Sequence, residues 1–191
     1  MKQDDTRERL LHTAAALFSA QGYDAVGVQC IADAAGITKP TLYYYFGSKR
    51  GLLEALLSER GGAFLSALRA AAAYRRDFVL SLSELFRAML SAAKDDPAFF
   101  RLHAALLMTP PESETAAVHK PFDEEVAAVF LGLFQKSAAE FGNMRGSEAL
   151  FSAMFRWNLT ALTLSALNSG AYPDDGKIHK IIRAFLYGIA S

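Results

Sequence analysis

Apolar residues recur along this chain at three- and four-residue spacing almost throughout. Nowhere does a run rich in valine, isoleucine and threonine alternate with polar residues, as a half-buried strand would. The pattern predicts an all-α fold of about nine helices. A first helix carries Leu10, Leu11, Ala14, Leu17 and Phe18, with Thr6 placed to cap it and Gly22 to stop it. Val28, Ile31, Ala32 and Ala35 predict a short second helix that ends at Gly36. A third is capped by Thr38, with Pro40 in its first turn and Gly47 at its end. The second and third helices and the tight turn between them form a helix-turn-helix pattern.

Ser48 caps a long fourth helix that runs to about Ala73 through Gly61 and Gly62. Two readings of that glycine pair stay open: close helix packing, or a compliant point between an N-terminal head and a C-terminal body. Further helices are expected from Asp77 to about Ala93 and from Pro97, capped by Asp96, to about Met108. Another follows Thr109-Pro110-Pro111, restarts at Pro121 and runs to about Phe141. The last two span Ser147 to Ser169 and Asp175 to Ala190.

Composition narrows the function classes. At 191 residues the chain can bury a sizeable core without metals or disulfides, and its single cysteine, Cys30, permits no internal disulfide. That fits a cytoplasmic location. The first residues mix acids with cations, unlike a secretory signal. Charged residues break every apolar stretch before the ~20 residues a bilayer crossing needs, so no membrane partner is expected. The formal net charge is zero, but from Gly36 to Arg50 there are Lys39, Lys49 and Arg50 and no acid. Positive charge therefore gathers on the third helix and the start of the fourth.

On that third helix, steps of ~100° per residue put Leu42 and Phe46 on one side, with Pro40, Tyr43 and Tyr44 on the other and Tyr45 at the flank. Tyr43 and Tyr44 project beside Lys39, with Thr38, Thr41 and Lys49 near. Hydroxyls, an ammonium and the free N–H groups of a helix start suit phosphate oxygens, and a threonine methyl or tyrosine edge can meet a thymine methyl. The competing reading is an outward aromatic pair covered by the rest of the protein or by a partner chain.

Residues Thr6 to Leu53 resemble the DNA-binding domain of the TetR family of bacterial transcriptional regulators. The matching pieces are Ala14-Ala15-Ala16-Leu17-Phe18, then Gly22-Tyr23, then Ile31 through Phe46, closed by Ser48-Lys49 and Leu52-Leu53. The resemblance implies DNA contacts from Thr38, Lys39, Pro40, Thr41, Tyr43, Tyr44, Tyr45 and Lys49, with Val28 and Gln29 adding contacts at the start of the second helix. Two positions depart from the family pattern: Gly27 stands where a Ser or Thr usually caps the second helix, and Cys30 where a polar residue is frequent. The resemblance also implies two domains, a helix-turn-helix head over 1–50 and an effector-binding and dimerisation body over 51–191. The activity implied is that of a ligand-responsive regulator, a homodimeric repressor on a near-palindromic operator.

The body has its own signals. Ile178, Ile181, Ile182, Phe185, Leu186 and Ile189 make an apolar stripe on the last helix, and Leu150, Phe151, Met154, Phe155, Leu162 and Leu167 make the preceding one apolar on more than one side. Such helices require partners on two faces. Leu150, Met154, Leu162, Ile178, Ile181, Ile182, Phe185 and Ile189 are the expected dimer contacts, with monomer core as the alternative. Aromatics beside isolated polar groups mark an expected pocket for a small apolar or aromatic effector: Phe99, Phe100, His103 and Met108, then Phe130 and Phe134, then Phe151, Phe155, Trp157 and Asn158.

No enzyme is expected. The chain has no Gly-x-Ser-x-Gly elbow, no Gly-x-Gly-x-x-Gly and no phosphate loop. Its four histidines, His12, His103, His119 and His179, share no metal spacing with Cys30. His119 and Asp123, straddling Pro121, are a suggestive pair, but a pair is not a metal site. Neither metal nor cofactor is expected. A helical protein-binding adaptor, or a relic that no longer binds DNA, is the alternative; it leaves Lys39, Tyr43, Tyr44 and Lys49 without a role.

Overall fold

Helices in this protein begin mostly where a side chain can receive their unpaired N–H groups. The structure, a computed structural model, describes residues 2–74, 76–138, 140 and 144–187, with side chains from residue 5 onward. The described residues form nine helices and no strand: α1 (Lys2–Gln21), α2 (Val28–Ala34), α3 (Lys39–Phe46), α4 (Lys49–Ala71), α5 (Phe78–Asp95), α6 (Pro97–Leu106), α7 (Glu114–Ser137), α8 (Glu148–Ser169) and α9 (Asp175–Tyr187).

Thr38 caps α3, its Oγ1 accepting from the Thr41 N–H at 3.4 Å. Ser48 Oγ accepts from the Gly51 N–H at 2.9 Å, and Asp77 Oδ1 from the Leu80 N–H at 2.9 Å. Asp96 Oδ1 accepts from the Phe99 N–H at 3.0 Å. Each cap of this kind contributes ~1 kcal/mol.

Two expectations fail here. α1 starts at Lys2, so Thr6 lies inside the helix and does not cap it. The acid Asp5 favours the earlier start, since negative charge is stabilised near a helix N-terminus. α7 is continuous through Pro121 and does not restart there. Pro121 and Ala117, whose carbonyl the proline cannot satisfy, are both exposed, so water can take the missing bond. The expected ends of α7 near Phe141 and of α9 at Ala190 lie outside the described residues.

Packing divides the chain into two compact units, one of residues 1–63 and 96–123, the other of 64–95 and 124–191. The residue-50 boundary expected from the motif falls inside the first unit. There α1 packs on α2 and α6, and α2 on α3. Its core holds Leu10, Leu11, Phe18, Ile31, Leu42, Leu52 and Leu56, all fully buried. In the second unit α5 packs on α8 and α9 around Leu82, Phe86, Phe130, Phe134, Phe155 and Ile182.

A close backbone approach sets the corner between α3 and α4. A Cβ on Gly51 would stand 2.1 Å from the carbonyl oxygen of Phe46. Only glycine allows the chain to turn this tightly out of the third helix.

Candidate functional site

The helix-turn-helix presents its residues as two opposed faces. Ile31, Ala32 and Ala35 of α2 and Leu42 of α3 are buried, while Tyr43 is 41% and Tyr44 74% exposed. An aromatic hydroxyl side chain left this far in solvent contributes little to folding, whereas a fully buried Leu stabilises by ~1.5–3 kcal/mol. Tyr45 is half-buried and lies edge-on to Tyr44, with ring centroids 5.4 Å apart. Phe46, expected on the buried side, is also half-buried, and the Arg7 guanidinium lies 5.2 Å from its ring centroid.

The outer face is polar and cationic. Lys39 Nζ is 5.8 Å from the Tyr43 ring centroid, and the Thr38 and Thr41 hydroxyls are hydrogen-bonded at 2.8 Å. Pro40 is exposed, in the first turn of α3. That turn carries no acid. Val28 is half-buried, and Gln29 is exposed and donates to Asp33 Oδ1 at 2.7 Å.

Lys49 is held differently from Lys39. Its ammonium sits 4.1 Å from the Tyr23 ring centroid and 3.4 Å from the Asp24 carbonyl. Desolvation lowers its pKa, opposed by the acids Asp24 and Glu114. Burial pushes the Tyr23 hydroxyl up to about 12, with Glu114 and Asp24 adding to the effect. Arg50 pairs with Glu54 at 2.8 Å and lies 3.8 Å from Glu114. Of the three cations in the motif, Lys39 is therefore the one not committed to a carboxylate or a carbonyl in these contacts, although its charge leans on Tyr43.

The aromatic residues of the body are divided between the two units. Within the second unit, a cavity of about 270 Å³ is lined by Phe78, Phe134, Phe151, Met154, Phe185 and Tyr187 among others. Phe134 and Phe151 come from the expected pocket set. Phe130 and Phe155 are buried close by, their rings 6.3 Å apart. Trp157 and Asn158 instead stand exposed on α8, where Asn158 donates to the Met154 carbonyl. Phe99, Phe100 and His103 are buried in the first unit, and Met108 is 70% exposed.

The expected dimer residues also divide. Leu150, Met154 and Leu162 are exposed on α8, at 60%, 48% and 36%. Ile178 and Ile182 are buried in their own unit, Ile181 is half-buried, and Phe185 is half-buried with its ring 5.0 Å from that of Phe155. Ile189 lies outside the described residues. The apolar stripe of α9 is thus largely covered within its own unit, whereas α8 buries Phe155 and Leu159 and leaves Leu150, Met154 and Leu162 exposed.

Residues 10–56 match the family model for bacterial regulatory proteins of the tetR family. The transcriptional activator FasR of Mycolicibacterium smegmatis is 33% identical over 102 residues, 53% of this chain and 47% of that protein. The transcriptional repressor BdcR of Escherichia coli is 44% identical over 55 residues, 29% of this chain and 28% of that protein. The regulator FadR of Bacillus subtilis, solved with stearoyl-CoA, superposes with a TM-score of 0.75 over 95% of this chain and 98% of its own, at 16% identity. Residues 10–56 are thus a helix-turn-helix segment of the tetR type.

The chain spans about half the length of the curated relative FasR or less in each of these sequence matches, and the FadR likeness establishes the fold alone. Inside the matched segment, both departures from the family pattern are visible. Gly27 begins α2 with extended backbone and no side-chain cap, and Cys30 is exposed and in no disulfide. α2 keeps its position because Ile31 and Ala32 are fully buried.

Sequence spacing missed one constellation. His103 of α6 meets His119 of α7, Nδ1 to Nε2, at 2.8 Å, and Asp123 completes a group whose ligand atoms all lie within 4.8 Å of one another. The pair His119 and Asp123 is legible from its four-residue spacing. His103, sixteen residues earlier on another helix, is not.

Proposed function

We propose that this protein is a DNA-binding transcriptional regulator that acts as a homodimer and responds to a small apolar or aromatic effector. The observation that carries the reading is the division of α3: Leu42 is fully buried while Tyr43 and Tyr44 stand out beside Lys39, Thr38 and Thr41. In this reading α3 enters the major groove. Thr38, Lys39, Pro40, Thr41, Tyr43, Tyr44 and Tyr45 supply base and phosphate contacts, Val28 and Gln29 add contacts from α2, and Lys49 anchors a phosphate from the start of α4.

The exposed apolar row Leu150, Met154 and Leu162 supports a two-fold partner on α8, which would present two heads to a near-palindromic site. The proposed division of labour is a reading head over 1–50 and an effector-binding and dimerisation body over 51–191. The cavity beside Phe134 and Phe151 suits an apolar effector, and an acyl chain is the kind of ligand carried by the FadR neighbour. Repression relieved by the effector is the proposed direction. A coupling of ~1–3 kcal/mol would change DNA affinity by ~5- to 150-fold. The reading places the protein in the cytoplasm and assigns it no catalysis.

The test is fluorescence anisotropy against duplexes tiling the DNA upstream of the protein's own gene, at two salt concentrations. Tight binding to one near-palindromic tile, weakening steeply with salt, is the expected result. Equal binding to every tile and to random DNA by folded dimer would count against it.

A further inference from the structure

The buried imidazole pair of the first unit has an organisation that its packing role does not require. His103 and His119 are only 1% and 3% exposed, and they face each other through nitrogens 2.8 Å apart. A buried neutral imidazole has one donor and one acceptor nitrogen, so one of these two must hold the proton between them. Asp123 follows His119 by four residues on α7, which sets both side chains on one helix face. All three ligand atoms fall within 4.8 Å of one another.

We propose that His103 Nδ1, His119 Nε2 and the Asp123 carboxylate bind one divalent transition ion of the zinc class. Donors at 2.0–2.2 Å from such an ion stand ~3.3 Å apart around it. The imidazole nitrogens need only separate slightly, and the half-buried carboxylate already lies within 4.8 Å of both. The proton between the rings moves to an outward nitrogen, since ligation requires a lone pair on each facing atom.

Two imidazoles and one carboxylate favour zinc, cobalt or nickel over magnesium and calcium, which take oxygen donors. The surroundings strengthen the case. Phe99 lies parallel to the His103 ring at 6.5 Å and Phe122 edge-on at 5.3 Å, giving an apolar wall that fixes the ligand and lowers the local dielectric. Three protein ligands leave a fourth position for water or a small exogenous donor. All three residues belong to the first unit, whereas the apolar cavity is lined by residues of the second. The centre goes beyond the regulatory reading and does not depend on it.

The experiment uses the full chain, stripped with a chelator and titrated with Co²⁺, whose visible ligand-field absorption reports nitrogen and oxygen donors. Thermal unfolding is recorded with and without Zn²⁺. The expected result is one Co²⁺ per chain, displaced by Zn²⁺, and a rise in melting temperature with Zn²⁺ but not with equal Mg²⁺. Asp123→Asn should still unfold cooperatively in the absence of metal and bind Co²⁺ at least ~10-fold more weakly, the loss expected even for an outer-shell partner. His119→Gln should lose the visible band. Absence of stoichiometric Co²⁺ binding by the wild type, Asp123→Asn binding as tightly as wild type, or Mg²⁺ acting as well as Zn²⁺ would each overturn the proposal.

Discussion

The Phe122 ring lies directly on Gly61: a Cβ at that glycine would stand 2.7 Å from Cε2 and 3.1 Å from two further ring atoms. The neighbouring Gly62 is exposed and has nothing within 4 Å of such an atom. The two glycines of α4 are therefore not equivalent. Gly61 makes room for an aromatic ring of α7, and the helix runs unbroken through both.

Gly61→Ala is expected to destabilise the protein by ~1–3 kcal/mol through overpacking against Phe122. Gly62→Ala should stabilise it by ~0.5–1 kcal/mol, because alanine restricts the unfolded chain and fits an exposed helix interior. Urea denaturation of the two single variants decides this, and equal effects would remove Phe122 from the account. Replacing both glycines also tests the reading of the pair as a compliant point between head and body: unchanged effector response in a folded double variant would exclude it.

Tyr44 and Leu42 separate binding from folding. Tyr44→Ala should leave the unfolding free energy within the roughly ±0.5 kcal/mol typical of surface changes while weakening DNA binding in the anisotropy assay. Leu42→Ala should cost ~2–5 kcal/mol of stability, since it empties a fully buried site. DNA binding undiminished in Tyr44→Ala would count against α3 as the reading helix.

Arg60 ties the start of α6 to α1. Its guanidinium, with a side chain 14% exposed, meets Asp96 at 2.7 Å and also pairs with Glu8, while its buried Nε has no hydrogen-bond partner among the described residues. Asp96 also caps α6. Asp96→Ala should therefore cost more than a lost cap alone, ~2–4 kcal/mol, because it leaves a largely buried cation short of a partner. Glu8 is mostly exposed, and Glu8→Ala should cost no more than ~1 kcal/mol. Thermal or urea unfolding of the pair gives the ratio.

Alkaline pH offers a fourth test. The unfolded chain loses the Tyr23 proton near its ordinary value of 10.0, whereas the folded chain holds it to about 12. Between those values the unfolded state carries fewer protons, so stability falls as pH rises. Tyr74, also held up to about 12 by desolvation and its hydrogen bond to Glu140, adds to the fall. Denaturation curves from pH 9 to 12, a range set by these values, should show a smaller loss in Tyr23→Phe than in wild type; an identical loss would mean that Tyr23 titrates normally.

Local chemistry wrote most of the backbone into the sequence. Thr38, Ser48, Asp77 and Asp96 cap helices because their oxygens reach free N–H groups a few residues ahead, and this depends on no distant residue. The same holds for the two faces of α3, which follow from its 3.6-residue period. Pro121 misled because a local rule assigns a restart, while solvent exposure lets α7 continue.

The sequence by itself determined most of the helices, the helix-turn-helix and the likeness of residues 10–56 to the tetR family, since each rests on spacing within a few dozen residues. Tertiary structure decided what required distant helices to meet. It placed Phe122 on Gly61, put Phe99 and His103 in one unit and the cavity lined by Phe134 in the other, buried Ile178 and Ile182 while leaving Leu150 and Met154 exposed, and brought His103 to His119 and Asp123. Helical periodicity states that a face is apolar but not which partner covers it, and that choice is made only when whole helices pack.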